Sequence, residues 1–190
     1  MRICIFGASG TALDERYIQQ TEALGKRLAE RGHSLVFGGG KNGLMGAAAR
    51  GFTAGGGRIV GVAPTFFKEA GVIYDRCDEF VWPDTMRDRK KYMEDNADAF
   101  IVTPGGIGTY EEFFEVLTLK QLARMSKPIA VFNINGYFDG LMRLIADNTK
   151  NGFIRPQTQE LFRLCATVEE AVDCVENDGY DIRQIRFTDQ

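Results

Sequence analysis

Short apolar runs alternate with longer stretches of helical spacing between Arg2 and Asn151. The runs at residues 2–6, 35–37, 58–62, 79–82, 99–102 and 129–132 read as strands. Residues 14–31 place Tyr17, Ile18, Leu24 and Leu28 close to helical spacing, and residues 44–54, 85–97, 109–125 and 137–151 also read as helices. Strands that are apolar throughout are buried on both faces, and helices between them cover a parallel sheet through right-handed crossovers. The pattern predicts one doubly wound, Rossmann-like α/β domain over residues 1–190, with no long linker, low-complexity stretch or internal repeat.

In such sheets ligands bind beyond the carboxyl ends of the strands. Those ends carry Gly7-Ala8-Ser9-Gly10, then Gly38-Gly39-Gly40-Lys41-Asn42-Gly43, then residues 84–91 with the cations Arg87, Arg89 and Lys90, and then residues 104–109. All four loops are expected at one edge of the sheet.

The richest of them is Thr103-Pro104-Gly105-Gly106-Ile107-Gly108-Thr109-Tyr110-Glu111-Glu112. It links the run Ala99-Phe100-Ile101-Val102 to a helix, so its glycines let backbone approach a ligand closely. The free N–H groups of the helix start suit an anion, typically phosphate. Glu112 lies one turn further on, within reach of whatever the anion anchors. The competing reading is a tight turn with acidic residues favoured by the helix dipole, but Gly-Gly-x-Gly-Thr is richer than a plain turn needs.

The helix at 85–97 places Met86, Met93 and Ala97 on one stripe, flanked by Arg89 and Lys90. Cations beside an inward-facing apolar line either snorkel to water or point into the cleft at a phosphate or a carboxylate, for which Glu112 is the candidate partner. The helix after Thr109 is apolar on two sides: Tyr110, Phe113, Phe114, Leu117 and Gln121 form one, and Glu112, Val116, Leu119 and Ala123 nearly the opposite one. A helix apolar on two sides is buried on two sides. The expectation is a homodimer that places Glu112 near the subunit seam, the alternative being a covering segment of the same chain. Glu111 and Glu115 read as solvated or structural.

Other chemistries find little support. Gly38-x-Gly40-x-x-Gly43 matches the dinucleotide fingerprint in form, but the following strand runs into Ala63-Pro64 without the acidic residue that holds a ribose. No G-x-x-x-x-G-K-[ST] occurs. His33, the one histidine, reads as a solvated turn residue, which leaves no Ser/His/Asp system and no histidine-based metal site; acid–base work falls to carboxylates. A net charge of −3 and a pI near 5.3 advertise no nucleic-acid partner, while 44% hydrophobic residues with 14 Phe support a substantial core. No apolar run approaches the ~18 residues of a membrane span, and the apolar stretch after Met1 is too short for a signal peptide. Cys4, Cys77, Cys165 and Cys174 are scattered without C-x-x-C. A soluble cytoplasmic protein is expected.

Pro104-Gly105-Gly106-x-Gly108-Thr109-x-x-Glu112 resembles the P-G-G-x-G-T-x-x-E signature of the LOG (lonely-guy) phosphoribohydrolases, formerly labelled lysine decarboxylases. The companion Met-x-x-Arg-Lys is present as Met86-Arg87-Asp88-Arg89-Lys90. The glycine loop Gly38 to Gly46 and the stretch Asn135-Gly136-Tyr137-Phe138-Asp139 are similar too. The resemblance implies hydrolysis of the N-glycosidic bond of a purine nucleoside 5′-monophosphate, often of an N6-prenylated adenine, to free base and ribose 5-phosphate, with no cofactor and no metal. It implies that Gly105, Gly106, Gly108 and Thr109 hold the phosphate, that Glu112 serves the ribose, the water or the sugar's positive charge, and that Arg89 holds phosphate or base and keeps Glu112 ionised, with help from Lys90. Ser9, Gly39, Gly40 and Met86 are the further substrate contacts it suggests. Arg87 stands where the family often has His, and Phe6-Gly7-Ala8-Ser9 where it usually has Cys-Gly-Ser-Ser, departures that bear on substrate preference more than on reaction type. Decarboxylation is disfavoured, because no spacing singles out Lys41, Lys90, Lys91 or Lys120 as a Schiff-base lysine for pyridoxal phosphate. The competing class is a non-catalytic carrier or sensor of a nucleotide or of molybdenum cofactor; such a protein needs the glycine loops but not the Arg89–Glu112 pair.

Overall fold

Seven strands form one parallel sheet in the computed structural model, which describes residues 1–68 and 71–178. The strands are β1 (Arg2–Phe6), β2 (Ser34–Phe37), β3 (Ile59–Val62), β4 (Glu79–Val81), β5 (Ala99–Val102), β6 (Ile129–Phe132) and β7 (Arg163–Cys165). Their spatial order is β4-β3-β2-β1-β5-β6-β7, so the chain winds outward from β1 in one direction, returns, and winds outward from β5 in the other. The register pairs Ile3 with Leu35 on one side and with Ala99 on the other. β1 and β5 flank the reversal of strand order, the point at which an open α/β sheet leaves a crevice.

Among the described residues six α-helices cover the sheet: α1 (Glu15–Glu30), α2 (Gly43–Ala54), α3 (Met86–Asn96), α4 (Ile107–Gln121), α5 (Asp139–Lys150) and α6 (Val168–Asn177). Strand side chains alternate between the two faces. Ile3, Ile5, Leu35, Phe37, Ala99, Ile101 and Phe132 pack with Leu24 and Leu28 of α1, Phe52 of α2 and Val172 of α6. Cys4, Phe6, Val36, Phe100, Val102 and Val131 pack with Met93 of α3, Phe113 and Val116 of α4, and Ile145 of α5. Both faces of the central strands are therefore dry, which is why they read as unbroken apolar runs. No helix among the described residues is long and apolar enough to cross a membrane.

β7 and α6 are elements the apolar pattern did not announce. They correct the placement of His33, which is 8% exposed rather than solvated. Its Nε2 lies 2.9 Å from Glu176 Oε1 of α6, and Arg31 Nη2 donates to the same carboxylate at 2.5 Å. Those hydrogen bonds hold Glu176 at about 2, below the usual carboxylate range, the Arg31 bond being the larger cause.

Candidate functional site

Three helices begin with a side-chain cap. Asp14 accepts from Arg16 N at α1, Thr85 from Asp88 N at α3, and Thr167 from Glu170 N at α6. The start of α2 is closed differently, by the carbonyl of Ala8, which accepts from Leu44 N at 2.8 Å and from Met45 N at 3.3 Å. α4 starts at Gly106 with no side-chain cap. The first amides of a helix have no partner within it, so Ile107, Gly108 and Thr109 leave a set of donors at the positive end of the α4 dipole. Ala8 thus takes up two of the first amides of α2, whereas the glycine turn before α4 presents Ile107, Gly108 and Thr109 with no side chain over them.

These donors border a cavity of about 530 Å³ at the carboxyl ends of the strands, on the crevice between β1 and β5. Of the residues expected at the site, Ser9, Gly40, Met86, Arg89, Gly106, Gly108, Thr109 and Glu112 line this cavity together. Gly39, Lys90 and Gly105 do not line it. Gly39 faces the Phe80 ring, and its carbonyl accepts from Tyr74 N. Gly105 has no room for a side chain because a Cβ there would lie 2.0 Å from Thr109 Oγ1 and 2.9 Å from Ala8 N. Lys90 donates to Glu111, which does line the cavity although it read as solvated or structural in the sequence, and pairs with Glu115 Oε2 at 2.7 Å. Arg87 is exposed. Among the described residues, no lysine lines the cavity.

Arg89 and Glu112 form the charged centre. Arg89 is 7% exposed; its Nε donates to the carbonyl of Val62 at 3.1 Å, and its Nη1 to Glu112 Oε1 at 3.1 Å. The guanidinium thus spans from the end of β3 to the first turns of α4. It reaches there only because residue 38 is glycine: a Cβ on Gly38 would stand 2.0 Å from Arg89 Nη2. Burial pushes the Glu112 carboxyl above its ordinary value, and the Arg89 charge and hydrogen bond oppose that rise. The arrangement holds a carboxylate, with its counter-ion, about one helical turn (~5.4 Å) from an open anion cradle.

Behind this pair, half-buried Glu94 of α3 is pushed up to about 7, first by burial and then by Glu115. The cavity also has an apolar wall: Met45, Phe67, Val72 and Ile73. This wall escaped sequence reasoning. Val72 and Ile73 belong to an irregular segment tied to the glycine loop by Lys41 N donating to Val72 O and by an antiparallel bridge between Gly40 and Ile73. A single bridge leaves no periodic signal.

α4 is not apolar on two opposite sides in the way its sequence suggested. Phe113, Val116 and Leu117 are all buried together, and Phe162, which follows a 3-10 segment at Pro156–Leu161, meets Phe113 edge-on at 5.5 Å. A segment of the same chain therefore covers part of the helix. The remaining exposed apolar stripe is Ile107, Phe114 and, at the helix end, Leu122.

A family model described as "Possible lysine decarboxylase" matches residues 45–175. A probable cytokinin riboside 5′-monophosphate phosphoribohydrolase of Oryza sativa subsp. japonica is 37% identical over 169 residues, covering 89% of this chain and 69% of the relative. A cytokinin riboside 5′-monophosphate phosphoribohydrolase of Arabidopsis thaliana is 34% identical over 175 residues, covering 92% of this chain and 81% of the relative. Among solved structures, the molybdenum cofactor binding protein from the phototrophic bacterium Rippkaea orientalis superposes with a TM-score of 0.71 at 19% identity, covering 92% of this chain and 94% of that one. At that identity the likeness is one of fold.

Proposed function

The chain belongs to the LOG family of N-glycosyl hydrolases, and from that premise we propose that it cleaves purine nucleoside 5′-monophosphates to free base and ribose 5-phosphate. The observation that carries this reading is the shared cavity: the open amides of α4 and the Arg89–Glu112 pair border the same space. The 5′-phosphate sits on the α4 amides, with Gly106, Gly108 and Thr109 around it. That anchor places the anomeric carbon near Glu112, so remote binding energy serves the reacting bond.

The C1′–N bond breaks with its electron pair going to the base, which takes up a proton on nitrogen. Water adds to the oxocarbenium-like C1′ and loses a proton, giving ribose 5-phosphate. Glu112 stabilises the positive sugar and accepts the water's proton; it does so as a carboxylate, a state that Arg89 favours against the effect of burial. The wall of Met45, Phe67, Val72 and Ile73 suits a base carrying an apolar N6 substituent. The lysine-free lining speaks against decarboxylation through a Schiff base.

The Arg89–Glu112 pair favours an enzyme over a carrier, which has no use for a buried carboxylate beside the sugar. Incubation with AMP and with N6-isopentenyl-AMP, followed by assay of released base, separates the two classes: release from either supports hydrolysis, and tight binding without release supports a carrier. The exposed Ile107, Phe114 and Leu122 lie on the helix that carries Glu112 and suit a second copy of the chain, so a homodimer completes the proposal.

A further inference from the structure

The stretch Asn135 to Asp139 puts no side chain on the cavity, yet it reaches the anion cradle from behind. Tyr137 Oη donates to the carbonyl oxygen of Gly105 at 2.5 Å. In a trans peptide the C=O and the next N–H point in opposite directions. A Gly105 carbonyl turned back toward Tyr137, which is not on the cavity, therefore turns the Gly106 N–H toward the cavity that Gly106 borders. One peptide earlier, Ala8 N donates to Pro104 O at 3.0 Å and fixes the turn from the β1 side.

We propose that Tyr137 is a positioning residue for anion recognition, whose hydroxyl holds the Gly105–Gly106 peptide with its N–H facing the bound phosphate. The need for such a group follows from the glycines. Two consecutive glycines let the backbone come close to a ligand, but they also let the peptide between them rotate at little cost. The rotated form would offer the phosphate a carbonyl oxygen instead of a donor. One hydrogen bond to that carbonyl selects the productive orientation.

Tyr137 is itself held rigidly. The Asn133 side chain clamps the loop from both ends, Oδ1 accepting from Phe138 N at 2.7 Å and Nδ2 donating to Asp139 Oδ1 at 2.8 Å. Asn135 adopts a left-handed φ of 53° within it, a conformation Asn tolerates. The Tyr137 ring meets the rings of Tyr17 and Phe138 edge-on at 6.0 and 5.0 Å. Tyr110 of α4, whose phenol is pushed up to about 12 by burial and by a hydrogen bond with Tyr137, ties the anchor to the helix it serves.

The inference rests on the reading that the cradle takes phosphate. It is tested with Tyr137→Phe, which keeps the ring and removes one hydroxyl. Binding of ribose 5-phosphate and of adenosine is measured by calorimetry, together with kcat and KM for AMP. The expected result is ribose 5-phosphate binding weakened roughly tenfold, the loss of the Gly106 N–H bond to the charged phosphate once its peptide is no longer held, with a matching rise in KM, kcat nearly unchanged and adenosine binding unaltered. Unchanged ribose 5-phosphate binding overturns the role of Tyr137, as does equal weakening of adenosine, which marks general damage. If the parent binds ribose 5-phosphate but releases no base from AMP, the hydrolase reading fails while Tyr137 is still judged by the binding data. If the parent binds no ribose 5-phosphate, both fall.

Discussion

Gly38→Ala is expected to disable the site without touching a residue placed in the chemistry. An alanine Cβ would lie 2.0 Å from Arg89 Nη2 and 3.1 Å from Arg89 Cζ. Carbon–nitrogen contacts of this kind relax near ~3.5 Å, so the guanidinium must retreat by about 1.5 Å. Its far end is a side chain and not backbone, so the fold survives the change. What is lost is the 3.1 Å bond from Nη1 to Glu112, which has no slack for such a shift. A hydrogen bond between charged groups contributes about 1.5–3 kcal/mol, so kcat/KM for a nucleoside monophosphate should fall about tenfold to hundredfold. The assay is base release by parent and variant, repeated in an Arg89→Ala background. There, Gly38→Ala has no guanidinium to displace and should cost little more, a non-additivity that locates the damage in the Arg89–Glu112 contact. Activity within about twofold of the parent, or an equal loss in both backgrounds, would refute the reasoning.

Arg89→Met should lift the acid limb of the pH–kcat/KM profile. Glu112 must be ionised, burial already raises its pKa, and the lowering influence of Arg89 is gone; a profile that keeps its acid limb in place would contradict this. The same variant leaves a buried carboxylate without its counter-ion and should cost about 3 kcal/mol in chemical denaturation. Glu94 binds its proton more tightly in the folded chain than in the unfolded one, with a folded pKa of about 7, so its contribution to stability is full below the unfolded carboxylate value and is lost as pH rises toward and through 7. Glu94→Gln should flatten that decline and stabilise the protein by about 1 kcal/mol at pH 8 after allowance for solvent screening, read from melting curves across pH 5 to 8. Phe114→Asp should shift the protein to monomer in sedimentation if the α4 stripe is the dimer face, and leave it unchanged if it is not.

The sheet was legible where burial on both faces writes an unbroken apolar run, as in β5 and β6. It was not legible at β7, an edge strand of three residues in which Arg163 precedes the short run Leu164-Cys165-Ala166 and Leu164 is 41% exposed. α6 did carry a readable start, Thr167 followed three residues later by Glu170, and missing it misplaced His33 on the surface. At the site, the meeting of Arg89 with Glu112 could be anticipated, because a cation beside an inward stripe needs a partner. The separation of Arg89 from Lys90 could not: adjacent helical positions differ by about 100° in direction, and only the placement of Glu111 and Glu115 on α4 decides which of the two borders the cavity. The glycine loops posed the same difficulty. Gly38, Gly39 and Gly40 look alike in sequence, yet one clears Arg89, one clears Phe80 and one faces Met45.

In the proposed reaction Glu112 works on the bond between sugar and base of a nucleotide held by the α4 amides. Its most direct test is base release from AMP and N6-isopentenyl-AMP by the parent and by Glu112→Gln, with nucleotide binding measured in parallel. Free base and ribose 5-phosphate in equal amounts are expected from the parent, and a loss of about a hundredfold or more in the variant while binding persists. Full hydrolysis by Glu112→Gln, or tight binding by the parent with no base released, would contradict this.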